Sequence, residues 1–202
     1  MNKIDIICLL DMSGSMSCMI NDARKGFNTF LREQKESNNQ INFSLLFFDT
    51  NFYMPYKNVN IKNVKKVNEK TYYPNGGTSL YDALGKMCDD YIDMLGTTPK
   101  NKRSDKALFV ILTDGEENSS IVYSREQVKY LVTELREEFK VEFIYLGANQ
   151  DACFVAESLG MDRSNAYTYE NNNTGITVAY SKISKATTYY SNNDVKDNLF
   201  QQ

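Results

Sequence analysis

Four nearly continuous apolar segments, separated by stretches with helical periodicity, constrain the fold of this 202-residue chain more than any other feature. Each segment has the length of a strand and lacks the alternation of polar and apolar residues that marks a half-exposed strand. We therefore expect each to lie inside a sheet that is covered on both faces. The segments are residues 3–10, 41–49, 106–112 and 141–146.

The stretches between these segments carry apolar residues three or four positions apart, the spacing of one helix face. This spacing predicts amphipathic helices over Ile20–Leu31, Leu80–Leu95 and Val128–Phe139. Ser124 and Gln127 form a capping-box pattern at the start of the third helix. Two further helices are predicted over residues 151–160 and 176–190.

Strands that alternate with amphipathic helices predict an α/β domain of three layers, with a doubly wound, mainly parallel sheet between two layers of helices. Residues 51–60 form a weaker strand, and Pro55 places it at an edge because proline cannot donate to a ladder. Residues 165–169 are the candidate for the other edge. We assign residues 1–190 to one domain and expect residues 191–202 to be a frayed tail.

Composition excludes several classes of function. The net charge of −3 is too small for a nucleic-acid footprint, and no segment has the ~20 apolar residues that span a bilayer. The absence of histidine removes Ser-His-Asp and Cys-His catalysis and the common zinc motifs. The N-terminal segment does not resemble a signal peptide, and the four cysteines show no C-x-x-C spacing. We expect a cytoplasmic protein with reduced thiols that binds neither nucleic acid nor membrane.

Oxygen-bearing side chains follow two of the predicted strands and precede one helix. In doubly wound sheets, ligands bind beyond the carboxyl ends of the strands, where these side chains would meet. Two carboxylates and three hydroxyls make an all-oxygen set, which suits Mg²⁺ or Mn²⁺ better than zinc, copper or iron. Such a set leaves a coordination position for a carboxylate from outside the chain. The candidate metal ligands are Asp11, Ser13, Ser15, Thr78 and Asp114.

Simpler interpretations exist for the same residues. Ser, Gly and Asp are common in polar turns, and Ser79 with Asp82 has the pattern of a helix cap. We expect Glu116 and Glu117 to lie in a solvated loop, with a role at the rim of a metal site as the alternative. Two tyrosines beside the glycine-rich turn, Tyr72 and Tyr73, are candidate interface anchors, and Asn149 and Gln150 are either loop residues or donors to a partner.

Three separated segments, DMSGSM, GGTSLYDAL and ILTDGEEN, together resemble the metal-binding loops of the von Willebrand factor type A (vWA) domain. The likeness covers roughly residues 1–190. It implies a metal-ion-dependent adhesion site (MIDAS) that binds Mg²⁺, Mn²⁺ or Ca²⁺ through the five candidate ligands. It also implies one antiparallel edge strand, which residues 51–59 would supply. Residues 143–160 further resemble a segment of small stand-alone members from bacteria and phages.

The resemblance implies a divalent-metal-dependent protein-binding module that engages an Asp or Glu carboxylate of its partner. We expect this module to be intracellular because of its N-terminal segment and its cysteines. Two alternatives stay open. The first is a metal-dependent phosphoryl-transfer enzyme that uses a strand-end aspartate, although haloacid-dehalogenase-like phosphatases need a second aspartate where this chain has Ser13. The second is a metal-free structural subunit.

Overall fold

The computed structural model describes residues 2–148, 150–193 and 198–200. In these ranges the chain forms a six-stranded sheet with five α-helices around it. The strands are β1 (Lys3–Asp11), β2 (Gln40–Phe48), β3 (Phe52–Asn60), β4 (Lys106–Thr113), β5 (Glu142–Ala148) and β6 (Ala166–Tyr169). The helices are α1 (Ile20–Glu36), α2 (Leu80–Thr97), α3 (Arg125–Phe139), α4 (Ala152–Ser158) and α5 (Asn173–Asn192).

The strand order β3-β2-β1-β4-β5-β6 confirms the predicted doubly wound sheet. All neighbours pair in parallel except β3, which is antiparallel to β2. The predicted edge positions of residues 51–60 and 165–169 are therefore both confirmed. The pairing of β3 is irregular and includes Asn58 at φ 52°, in the left-handed region.

Both faces of the sheet are buried, as the continuous apolar segments require. Alternate residues of β1 point to opposite faces, so that Ile6 packs with α1 and α5 and Leu9 packs with α2, α3 and α4. The capping box of Ser124 and Gln127 is present at the start of α3. None of the helices in the described ranges combines the length and the hydropathy needed to traverse a bilayer.

The described part of the C-terminal segment differs from the predicted frayed tail. Ser191 is buried in the last turn of α5. Leu199 is buried as well, and its backbone N–H donates to Asn165 Oδ1 over 3.0 Å. Phe200 packs against Tyr167. Burial of Leu199 and the ring contact of Phe200 remove apolar surface from water, which opposes fraying of this segment.

Candidate metal centre

The candidate centre lies at the carboxyl ends of β1 and β4, two adjacent strands in the middle of the sheet. The chain leaves β1 toward β2 on one side, and β4 continues toward β5 on the other side. This reversal of strand order opens the crevice in which doubly wound folds bind ligands. Asp11 is the last residue of β1, and Asp114 directly follows β4.

Four of the five predicted ligands form a continuous chain of hydrogen bonds. Asp11 Oδ1 accepts from the Ser13 backbone N–H over 2.6 Å. The Ser13 and Ser15 hydroxyl oxygens are 2.9 Å apart. Both hydroxyls face Asp114 Oδ1, at 3.4 Å from Ser13 Oγ and 2.7 Å from Ser15 Oγ. The structure therefore brings two carboxylates and two hydroxyls together from the ends of two strands.

Thr78, the fifth predicted ligand, approaches this cluster through its hydroxyl. A Cβ atom built on Gly115 would lie 3.0 Å from Thr78 Oγ1 and 3.6 Å from Ser15 Oγ, so the two hydroxyls border the same small volume. The Thr78 hydroxyl makes no hydrogen bond within residues 2–148, 150–193 and 198–200, although the residue is buried. Its lone pairs are available to a ligand at the centre.

Buried hydroxyls hold the two strand ends in place. Thr113 Oγ1 donates to Asp11 Oδ2 over 2.6 Å, which fixes the second carboxylate oxygen. Tyr72 donates to the Asp11 carbonyl over 2.8 Å, and Tyr169 donates to the Thr113 carbonyl over 3.0 Å. The prediction that Tyr72 is an interface anchor is wrong, because its ring is fully buried beneath the site. Tyr73, its neighbour, is 49% exposed.

Charge at the centre is negative and poorly solvated. Asp11 is 0% exposed and Asp114 is 6% exposed. Burial raises the pKa of Asp11 to about 6, against the lowering effect of its hydrogen bonds from Ser13 and Thr113. Burial likewise raises the pKa of Asp114. Among the described residues, no lysine or arginine forms an ion pair with either carboxylate.

The donor set is unlike that of a carboxylate-rich or thiolate metal site. The described part of the chain holds no group of three or more His, Cys, Asp or Glu side chains that could coordinate an ion. The predicted set has only two such side chains, and its other members are hydroxyls. These residues fit a small, hard cation that accepts neutral oxygen ligands and keeps water or an outside carboxylate.

Asp49, which directly follows β2 beside the site, is absent from the predicted set. Its carboxylate accepts from the Asn51 backbone N–H over 2.6 Å and from Asn75 Nδ2 over 3.0 Å. A buried strand that ends in aspartate is the same signal that identified Asp11, and it could have revealed this residue. A second missed contact is that of Asn171, whose Nδ2 lies 3.5 Å from Asp114 Oδ2.

Two predicted polar roles differ in the structure. Ser79 precedes α2, but its hydroxyl donates to the Asp49 carbonyl over 2.5 Å instead of capping the helix. Glu117 is not a solvated loop residue, because its carboxylate accepts from the backbone N–H of Tyr81 in the first turn of α2 over 2.9 Å. Carboxylates favour this position because the first N–H groups of a helix lack partners.

The other two loop predictions fared differently. Glu116 is exposed, as predicted. Asn149 lies outside the described residues. Gln150 places its Nε2 atom 3.4 Å from the Tyr145 hydroxyl.

The model of the von Willebrand factor type A domain family matches residues 5–186. This chain belongs to the vWA domain family. Domains of this family generally act as binding modules, and they mediate metal-dependent protein interactions through a MIDAS. A search among curated proteins finds no significant sequence match.

Solved structures share the fold at low sequence identity. Manganese-loaded TRAP protein from Plasmodium vivax is 21% identical, with a TM-score of 0.63, over 91% of this chain and 73% of that one. Proximal thread matrix protein 1 from the mussel byssus, with a zinc-occupied MIDAS motif, is 14% identical, with a TM-score of 0.62, over 91% and 48%. The vWF domain of the pilus tip protein Mfa5 from Porphyromonas gingivalis is 9% identical, with a TM-score of 0.64, over 96% and 98%. This vWA chain spans about half the length of the mussel protein.

Proposed function

We propose that this vWA domain is an intracellular, metal-dependent protein-binding module. Asp11, Ser13, Ser15, Thr78 and Asp114 would hold one divalent cation, Mg²⁺ or Mn²⁺, with Ca²⁺ as a weaker alternative. The cation would supply a positive charge and an open coordination position, and a protein partner would fill that position with an Asp or Glu carboxylate.

One observation carries the proposal. Asp11 and Asp114 are buried at neighbouring strand ends. Ser13 donates its backbone N–H to Asp11, and the Ser13 and Ser15 hydroxyls face Asp114. In the described part of the chain, neither carboxylate forms an ion pair with a lysine or arginine. An unpaired buried charge is costly, and the usual remedies are a basic partner or a metal ion. A bound cation would offset the charge of both carboxylates at once.

The residues have distinct parts in this proposal. The hydroxyls of Ser13, Ser15 and Thr78 would contribute neutral oxygens, which leave the bound cation with enough positive charge to attract an outside carboxylate. Asp11 and Asp114 would supply the negative charge on the protein side. The manganese and zinc named for the two structural relatives support divalent metal binding in general, and the choice of Mg²⁺ rests on the hard oxygen donors.

The position of Asp11 favours binding over phosphoryl transfer. Its Oδ1 accepts from Ser13 N–H and its Oδ2 from the Thr113 hydroxyl, and the side chain has no exposed surface. A nucleophilic carboxylate needs an oxygen that reaches the substrate. The four free cysteines, two of them buried, fit the reducing interior of a cell. The proposed likeness to small bacterial and phage members stays a prediction.

Affinity capture tests the proposal. The wild-type domain and Thr78→Ala would each be incubated with lysate of the source organism in Mg²⁺ or EDTA, after thermal melts show that both fold. We expect a partner retained by the wild type in Mg²⁺ and lost in EDTA or with Thr78→Ala. Equal retention in all arms, or a melting temperature indifferent to Mg²⁺ and Mn²⁺, would contradict the adhesion mechanism.

A further inference from the structure

We propose that Ile121 and Val122, the tip of the loop that connects β4 to α3, form the apolar half of the partner-binding surface. The partner would be a protein segment that carries an apolar side chain within three or four residues of its metal-binding carboxylate. The inference rests on the proposed function, because it takes the cation site as the other half of the same surface.

The tip is unusually exposed for its chemistry. Ile121 is 92% exposed and Val122 is 67% exposed, and Ile121 is the most exposed large apolar side chain in the described ranges. Isolated apolar residues on a surface are ordinary, but two adjacent branched side chains held in solvent beside a ligand site mark a place of contact. Covering both would remove apolar surface from water at about 25 cal/mol per Å².

Asp82 fixes the tip on helix α2. Its buried carboxylate accepts from the backbone N–H groups of Ile121 and Val122 over 2.9 Å each, and from that of Tyr123 over 2.8 Å. Hydrogen bonds to a carboxylate are stronger than those between neutral groups. Three successive N–H groups held by one side chain leave the tip with little conformational freedom.

The two ends of the tip are anchored as well. On one side, Tyr123 donates to Asp89, and its ring lies so close to Gly85 that a Cβ atom there would come within 2.4 Å of the ring. On the other side, Glu117 accepts from the backbone N–H groups of Ser119 and Ser120 over 2.9 and 2.7 Å. A loop already ordered in the free protein pays less entropy on binding, so this arrangement suits recognition.

The same loop borders the candidate metal centre. Thr78 N–H donates to Asn118 Oδ1 over 2.9 Å, and the Thr78 carbonyl accepts from the N–H groups of Asn118 and Ser119 over 3.0 and 3.2 Å. Ile121 follows Ser119 by two residues, so its Cα lies at most about 12 Å from the Thr78 carbonyl. An extended segment covers that distance in about four residues. The Thr78 hydroxyl, the proposed ligand, belongs to the same residue as this carbonyl, so one partner segment of about this length or slightly more can reach both the cation and the tip.

The negative charge around the metal centre limits the sequence of the partner segment. Asp11 and Asp114 make the centre negative, and the exposed Glu116 adds charge at its rim. Like charges at an interface suppress the wrong partners, so an acidic run is disfavoured except for the single carboxylate that reaches the cation. An acidic residue flanked by apolar ones matches both the charge and the exposed tip.

A random peptide library displayed on phage tests the inference. Peptides would be selected on the wild-type domain in Mn²⁺ and eluted with EDTA, and then measured against the double variant Ile121→Ser/Val122→Ser. Phe154→Ser is the matched control, since Phe154 is 65% exposed on α4, over the β5–β6 side of the sheet. We expect an Asp or Glu with an apolar residue three or four positions away, at least tenfold weaker binding to the double variant, and unchanged binding to Phe154→Ser.

The outcomes separate the two proposals. Selected peptides with an acidic residue but no apolar preference, or binding to the double variant within twofold of wild type, would overturn the role of the tip and leave the cation site intact. If Mn²⁺ stabilised the domain but no peptide could be eluted with EDTA, the proposed role of the tip would also be contradicted. Absence of any Mn²⁺-dependent rise in melting temperature would instead remove the proposed function itself. The double variant should keep that rise, because neither Ile121 nor Val122 is among the five predicted ligands.

Discussion

Strand β1 carries a buried aspartate near each end, and the two carboxylates have different hydrogen-bond partners. Asp5 Oδ1 accepts from Asn42 Nδ2 over 2.8 Å and from Ser104 Oγ over 2.6 Å. Its Oδ2 accepts from the Tyr91 hydroxyl over 2.8 Å. Asp5 thus has three neutral donors of its own. At the other end, Asp11 accepts from the Ser13 backbone N–H and the Thr113 hydroxyl. The Ser13 and Ser15 hydroxyls face a second carboxylate, that of Asp114.

The comparison shows that burial of a carboxylate is not by itself the mark of a ligand site. The Asp5 charge is stabilised by hydrogen bonds that are complete within the fold. Ser13 and Ser15 each have one proton to donate, while their oxygens face each other and Asp114. A cation would turn those hydroxyls into ligands and balance both charges. In the proposed function, β1 therefore carries one structural aspartate, Asp5, and one metal-binding aspartate, Asp11.

The largest expected effect is the loss of metal-dependent stability in Asp11→Asn. A cation that binds only the folded state raises the free energy of unfolding by about 2.7 kcal/mol at a hundredfold excess over Kd. The wild type should show this rise in Mg²⁺ or Mn²⁺ relative to EDTA, and Asp11→Asn should show none. Calorimetric melts measure it. An unchanged rise in Asp11→Asn would place the cation elsewhere.

Asp5→Asn tests the other buried aspartate of β1, which we expect to have no part in metal binding. The substitution replaces one acceptor oxygen of Asp5 with an NH2 donor, which then faces the donors that surround Asp5. We expect this change to lower the free energy of unfolding by about 2 kcal/mol. The loss should be the same in EDTA and in Mg²⁺, because the metal site is untouched. Urea denaturation in both buffers measures it. If the loss in the free energy of unfolding were different in Mg²⁺ and in EDTA, Asp5 would also contribute to metal binding, contrary to this expectation.

Thr78→Val should weaken the binding of the cation without unfolding the domain. The hydroxyl makes no hydrogen bond within the described ranges, so its removal costs little in the free protein. Losing one neutral ligand should raise the Kd for Mn²⁺ about tenfold, which corresponds to about 1.4 kcal/mol. Calorimetric titration measures the Kd, and Thr78→Ser, which keeps the hydroxyl, is the control. Equal affinity in all three proteins would exclude Thr78 from the ligand set.

Tyr72→Phe has the smallest expected effect. It removes one buried hydrogen bond to the Asp11 carbonyl and should lower the free energy of unfolding by about 1 kcal/mol. Thermal melts in EDTA measure this change. The metal-dependent rise should persist, since the carboxylate of Asp11 keeps its bonds to Ser13 and Thr113. Loss of the metal-dependent rise in Tyr72→Phe would mean that the hydrogen bond from Tyr72 is needed to hold Asp11 in the position that binds the cation.

The sequence predicts most of the fold because its signals are local. Apolar runs and helical spacing mark each element, and Pro55 marks an edge. The same logic identified Asp11, at the end of β1, and Asp114, directly after β4. Failures came where the partner of a side chain lies far along the chain. Tyr72 and Glu117 are polar residues in loops, yet one reaches under β1 and the other across to the start of α2. Such contacts follow from the packing of loops, which sequence spacing does not encode.

We expect the carboxyl end of β1 to bind one divalent cation and its other end to bind none. Electron paramagnetic resonance of free Mn²⁺, titrated against the wild type, Asp5→Asn and Asp11→Asn, tests this most directly. We expect one bound Mn²⁺ per chain for wild type and for Asp5→Asn, and none for Asp11→Asn. Binding that survives in Asp11→Asn, or that disappears in a folded Asp5→Asn, would contradict it.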